Sequence, residues 1–243
     1  MSVLRRAAVA SVVGSTVACG FYWAFLSPCS QMFGTYAWRG RGNERVVAIT
    51  FDDGPNEPYT SQIAELLRDR GVRATFFQVG RCVARSPATT AALVADGHVI
   101  GNNSLSHRFR TYLYPGAFDQ EIERTQEILK RVLGREPLLV RTPWLWRQPA
   151  ILAMFRRRNL TPVSGLFCHP LEVFQIGSAR IAREAVSKTR PGTILIFHDG
   201  FNARGGIRAE TVEAVRMTID ALLARGYRFV TVDELLDVSA YEK

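Results

Sequence analysis

The chain of 243 residues is short of cysteine, histidine and acid. It has four cysteines, with no CxxC pair and no spacing of the zinc-finger kind. Cys19 and Cys29 lie near the N-terminus, and Cys82 and Cys168 read as two separate buried thiols. Asp and Glu total 22 against 31 Lys and Arg, a formal charge of +9, so the surface attracts anionic matter. RNA-binding signatures and basic–aromatic arrays are lacking, and no nucleic-acid partner is expected. The charge suits an acidic envelope instead. Internal repeats and low-complexity tracts are also missing. At 47% hydrophobic, the chain can bury a sizeable core.

Charge itself is missing from one long stretch. After Arg5 and Arg6, no charged residue occurs until Arg39. Residues 7–26 are almost wholly apolar, and twenty helical residues span about 30 Å, one hydrocarbon core. The reading is an uncleaved N-terminal transmembrane helix, residues 1–26, with the N-terminus in the cytoplasm and the rest outside. A cleaved signal peptide is the second reading. Residues 27–43 are mixed and aperiodic and read as a juxtamembrane linker. Residues 44–243 form the expected domain.

Within that domain, short β-rich runs alternate with helical patterns. Strands are expected at 46–51, 75–79, 99–102, 138–141, 161–164, 193–197 and 228–231. Gly71, Gly97, Gly134 and Gly226 follow four of the helices, where C-cap glycines belong. Seven strands with intervening helices imply an α/β fold with a parallel sheet, as a distorted (β/α) barrel. An open doubly wound sheet is the alternative.

Polar residues collect just after the strands: Asp52 and Asp53 in "TFDDGP", Asn103 and His107 in "NNSLSH", Arg141 and Trp144 in "RTPW", and His198 in "HDG". Carboxyl ends of parallel strands share one face, so these segments should converge. Two acids, histidines and an arginine together suggest a metal-assisted hydrolase. Asp53 and His107 can ligate a divalent metal, Asp52 can take a proton from water, and His198 can protonate a leaving group. Each motif alone has a plainer reading: "DDGP" as a turn, a strand-end histidine as a structural residue.

Taken together, "TFDDGP", "RATFFQVG", "GHVIGN", "NSLSH", "RTPW" and "ILIFHD" resemble, in order and spacing, the NodB-type polysaccharide deacetylases of carbohydrate esterase family four. The resemblance runs from about residue 44 to 236. It implies a distorted (β/α)7 barrel that removes N-acetyl groups from amino sugars of a cell-envelope polysaccharide or glycan, with a divalent metal, Zn²⁺ first. By that resemblance Asp52 is the general base, Arg141 orients it, Asp53 and His107 are metal ligands, His198 is the general acid, and the Trp144 backbone helps hold the oxyanion. Two positions depart. Asn103 stands where the family has the first metal-binding histidine, which admits Mn²⁺ or Mg²⁺. The Asp that supports the acid histidine is also missing; Glu172 or His169 are the replacements in reach. A catalytically inactive carbohydrate-binding relative is the alternative function.

Overall fold

The protein is described by a computed structural model covering residues 3–242, with side chains from Gly14 onward, Pro115 excepted. Eight strands occur among the described residues: β1 (Val46–Asp52), β2 (Thr75–Gln78), β3 (Val99–Asn102), β4 (Leu139–Val140), β5 (Thr161–Pro162), β6 (Leu166–Phe167), β7 (Ile194–His198) and β8 (Arg228–Phe229). Seven lie in the order β5-β4-β3-β2-β1-β7-β6, and β8 pairs with the start of β1. Every pairing is parallel. The sheet curls into an incomplete barrel, as expected from the sequence. Two-residue β6 was not foreseen, because "LF" is too short to carry a period.

Among the described residues, nine α-helices accompany the sheet: α1 (Val3–Phe25), α2 (Tyr59–Asp69), α3 (Gly80–Arg85), α4 (Pro87–Ala95), α5 (Pro115–Leu133), α6 (Pro149–Arg157), α7 (Ser178–Lys188), α8 (Ala209–Ala224) and α9 (Val232–Leu236). On α8 the buried residues Thr211, Ala214, Val215, Thr218, Ile219 and Leu222 recur at three- and four-residue steps, the stripe of a helix packed on a sheet. Its apolar members join Ile63 and Leu67 of α2 and Ile181 and Ala185 of α7 in the main core.

The period of β1 decides where its chemistry goes. Val47, Ile49 and Phe51 belong to that core, with Phe51 stacked 4.8 Å from Phe76. The alternate residues, Ala48, Thr50 and Asp52, therefore face the barrel interior. Asp53 leaves the strand at φ 76°, so the two neighbouring acids diverge instead of confronting each other.

The N-terminal segments behave differently from the sequence reading. The proposed spanning helix, residues 1–26, falls on α1, which includes Arg5 and Arg6. Its last turn is seated on the domain. Phe25 packs 5.3 Å from Trp146 and 5.0 Å from Phe33, and its carbonyl accepts from the Arg147 N–H. Among the described residues no helix is long and apolar enough to cross a membrane. The expected linker is woven into the barrel. Tyr36 is wholly buried, with its hydroxyl 2.6 Å from Thr142 Oγ1 and its ring 4.5 Å from the Arg147 guanidinium. Ala37 bridges to Val163, and Gly40 donates to the Gly192 carbonyl. Cys82 and Cys168 are free and buried.

Candidate active site

Asp52 ends β1 and His198 ends β7, and the register sets them side by side. Arg141, just past β4, is wholly buried and reaches across the interior. Its Nη1 lies 2.6 Å from Asp52 Oδ1 and 2.8 Å from Thr50 Oγ1. Other donors of the guanidinium go to the Val163 and Ser164 carbonyls, and its plane lies 4.0 Å over the Phe77 ring. Every arm is held, so Asp52 has one orientation. Burial pushes the Asp52 carboxyl above its ordinary range, against the pull of Arg141 and His198.

Asp53 Oδ1 lies 2.9 Å from His107 Nε2, while Oδ2 accepts from the Asn202 N–H at 2.8 Å. Burial works to raise this carboxyl, but His107 and the Asn202 N–H hold it well below the usual range. The Asp53–His107 approach is not aligned as a hydrogen bond, and Oδ1 is left without a donor. Asn103 is buried just past β3, and neither its Oδ1 nor its Nδ2 finds a partner. The local turn is capped by its neighbour instead, since Asn102 Oδ1 accepts from the Ser104 N–H. Among the described residues no group of three His, Cys, Asp or Glu is placed to hold a metal. Unsatisfied oxygens remain on the Asp53 carboxylate and on the Asn103 amide, and the His107 imidazole lies against the first. Buried polar atoms are rarely left unpaired, and this set suits a divalent cation. The residues fit the metal that the resemblance implies.

His198 has a private acid. Its Nδ1 lies 2.7 Å from Glu172 Oε2, and the other Glu172 oxygen accepts from the Thr211 hydroxyl. Burial opposes charge on the ring, yet the Glu172 hydrogen bond and charge, helped by Asp53 and Asp52, raise its pKa to about 9. His169, the other candidate supporter, instead meets Glu184 at 2.9 Å. Behind this pair, Asp199 accepts from Thr60 Oγ1 at 2.5 Å, and burial lifts its pKa to about 7. The packing here is close. A Cβ on Gly54 would stand 2.0 Å from Asp199, and one on Gly200 would stand 2.4 Å from the Asp53 carbonyl.

Asp52, Asp53, His107, Trp144 and His198 all line one cavity of about 430 Å³. Phe167 lies parallel to the His198 ring at 6.1 Å, and Trp144, at φ 55°, packs 4.4 Å from the His107 ring. The family described as polysaccharide deacetylase matches residues 39–163. A peptidoglycan-N-acetylglucosamine deacetylase of Bacillus cereus is 32% identical over 204 residues, 84% of this chain and 93% of that one. A chitooligosaccharide deacetylase of Azorhizobium caulinodans is 32% identical over 194 residues, 76% of this chain and 91% of that one. A solved peptidoglycan N-acetylglucosamine deacetylase superposes with a TM-score of 0.79 at 28% identity, covering 85% of this chain and 95% of its own. The chain belongs to the polysaccharide deacetylase family.

It is therefore a hydrolase of amide bonds. Of the residues the sequence pointed to, five line the cavity of this deacetylase; Arg141 stands behind Asp52, and Asn103 is buried off the cavity wall. Sequence reasoning left Glu172 and His169 as equals and missed Asn202, Asp199 and Thr60. Nothing local in "HPLEVF" marks the glutamate: it meets His198 only through the fold, from a short 3-10 turn 26 residues away.

Proposed function

We propose that this enzyme removes N-acetyl groups from amino sugars of a cell-envelope glycan, with Asp52 as base, His198 as acid and a divalent metal held by Asp53, His107 and Asn103. The observation that carries the reading is the side-by-side placement of Asp52 and His198, each with its own counter-charge, Arg141 and Glu172. Support for the substrate class comes from relatives named for peptidoglycan and chitooligosaccharides. An inactive binding relative would need neither orienting partner.

With Oδ1 engaged by Arg141, Asp52 accepts the proton of the attacking water on its other oxygen. A bound metal would polarise the acetyl carbonyl and lower the pKa of the water; Zn²⁺ comes first, and Asn103 admits Mn²⁺ or Mg²⁺. His198 is held cationic through Nδ1 and donates from Nε2 to the departing amine. The backbone at Trp144 serves the oxyanion. Acetate release from N-acetylated chito-oligosaccharides and peptidoglycan fragments tests this reading. Wild type should release acetate and Asp52→Asn should not; saturable binding without any release would establish the binding relative instead.

The same proposal puts the domain outside the membrane, held near it by the N-terminal segment. The charge-free run behind Arg5 and Arg6 supports this placement. Fractionation checks it: alkaline carbonate should leave the full chain in the membrane pellet, and external protease should reach the domain in cells stripped of wall.

A further inference from the structure

A second cavity, of about 580 Å³, opens beside the catalytic one and shares His107, Trp144 and Asn202 with it. Five arginines line it, from three separate segments. Arg81 and Arg85 come from α3, Arg108 and Arg110 from the turn after His107, and Arg204 from the loop after β7. No acidic side chain lines this cavity among the described residues. Some arginines elsewhere meet an acid: Arg70, Arg158 and Arg216 each have a carboxylate within 2.8 Å. Here the partners of Arg85 are neutral. It donates to the Ala203 carbonyl at 3.0 Å and touches Cys82 Sγ at 3.1 Å. Phe109, edge-on to Trp144 at 5.5 Å, supplies an apolar wall.

Five cations converging on one concavity repel one another, and an anion relieves that repulsion. A guanidinium forms paired hydrogen bonds with carboxylate or phosphate oxygens. The catalytic cavity has no arginine in its lining, whereas its neighbour has five. Because the two share a wall, one chain of sugars can occupy both.

We infer that the arginine-lined cavity binds an anionic substituent, a carboxylate or a phosphate, carried by the glycan on a sugar next to the one being deacetylated. This rests on the deacetylase reading above. It makes the enzyme selective for acidic glycans, with selectivity expressed in KM and weakened by salt.

Three matched N-acetylated oligosaccharides test it: one neutral, one bearing a carboxylate and one bearing a phosphate monoester. The metal-loaded full chain is compared with a triple variant, Arg81→Gln, Arg110→Gln and Arg204→Gln, all at exposed positions outside the catalytic residues. In wild type, KM for an anionic substrate should be lower than for the neutral one by about tenfold, with kcat similar. The variant should lose that preference while turning over the neutral substrate as wild type does. Which anionic arm gains identifies the group. Equal KM values for all three substrates in wild type would overturn the inference, and so would a variant that impairs the neutral substrate as much as the acidic ones. If no substrate releases acetate, the deacetylase reading fails. Calorimetric binding of the same oligosaccharides then decides the cavity alone: tighter acidic binding that the variant loses upholds it, and equal binding refutes it.

Discussion

Glu172 Oε2 and His198 Nδ1 stand 2.7 Å apart, and the glutamate is 1% exposed. This contact replaces the aspartate missing from the sequence pattern. It orients the ring and keeps it charged to about pH 9, with Nε2 left free to donate.

Glu172→Gln should therefore move the alkaline limb of the activity profile downward. In wild type the acid form of His198 is lost as pH rises through about 9, so activity should decline there. Without the glutamate charge the decline should begin about one to two units lower, with kcat at pH 8 reduced about two- to tenfold. Stability has the same sign. The pKa is raised on folding, so the pair contributes fully below the ordinary histidine value of about 6.5 and is lost as pH rises through the folded value. A wild-type and variant pH–rate profile with identical alkaline limbs would remove Glu172 from the mechanism.

The two adjacent acids should separate cleanly by mutation. Asp52 is tied to Arg141, and Asp53 faces His107, so each answers to a different partner. Asp52→Asn should cut turnover by about a thousandfold or more while metal content stays near wild type. Asp53→Ala should lose metal and activity together. Metal analysis on both purified variants is the check, and equal metal loss in the two would reject this division of roles.

Much of this was legible because the fold writes its active site at strand ends. The apolar run before Asp52 and the one before His198 announce buried parallel strands, and the residues that end such strands must share one face of the sheet. The four anticipated C-cap glycines all take positive φ. Two features were not legible and a third, Glu172, was left level with His169, each for a physical reason. β6 has two residues and no period. Glu172 sits in a short 3-10 turn whose role depends on where β7 ends. Tyr36 lies in an aperiodic segment, and its burial comes from contacts with Thr142 and Arg147 that only the folded chain creates.

The burial of Tyr36 predicts how the chain tolerates trimming. A fragment beginning at Glu44 looks like the domain by sequence but discards Tyr36, which pairs with Thr142 and shields Arg147. It also removes Ser30, whose carbonyl accepts from Arg147 at 2.5 Å. Arg147 would then be a buried cation stripped of two of its supports. Tyr36→Ala in the full chain should cost about 3–5 kcal/mol, as for other large buried side chains. Denaturant titration should rank the full chain first, a fragment from Ser27 close behind, and the fragment from Glu44 far below. A Glu44 fragment as stable as the Ser27 fragment would show that the strap is incidental.

Asn103 gives the most discriminating test of the metal proposal. Both its polar atoms are buried without partners, an arrangement that costs about 1–3 kcal/mol if nothing binds there. A ligand role and an idle role thus make opposite forecasts. As an idle amide, Asn103→Ala should leave metal binding alone and stabilise the protein at every metal concentration. If Asn103 completes the site, Asn103→Ala should be neutral or stabilising only in chelator. Added Zn²⁺ or Mn²⁺ should then raise the wild-type melting temperature more than that of the variant, because ligand binding to the folded state is the source of the gain. Asn103→His should tighten Zn²⁺ by about tenfold or more, since imidazole is the better zinc donor, with a smaller effect on Mn²⁺. Activity need not rise in parallel, because a tighter site also resets the acidity of its water. Melting curves of wild type, Asn103→Ala, Asn103→His and His107→Ala, each with chelator, Zn²⁺ and Mn²⁺, settle the matter. Should Asn103→Ala respond to both metals as wild type does while His107→Ala does not, the amide is no ligand, and the ion is held by Asp53 and His107 alone.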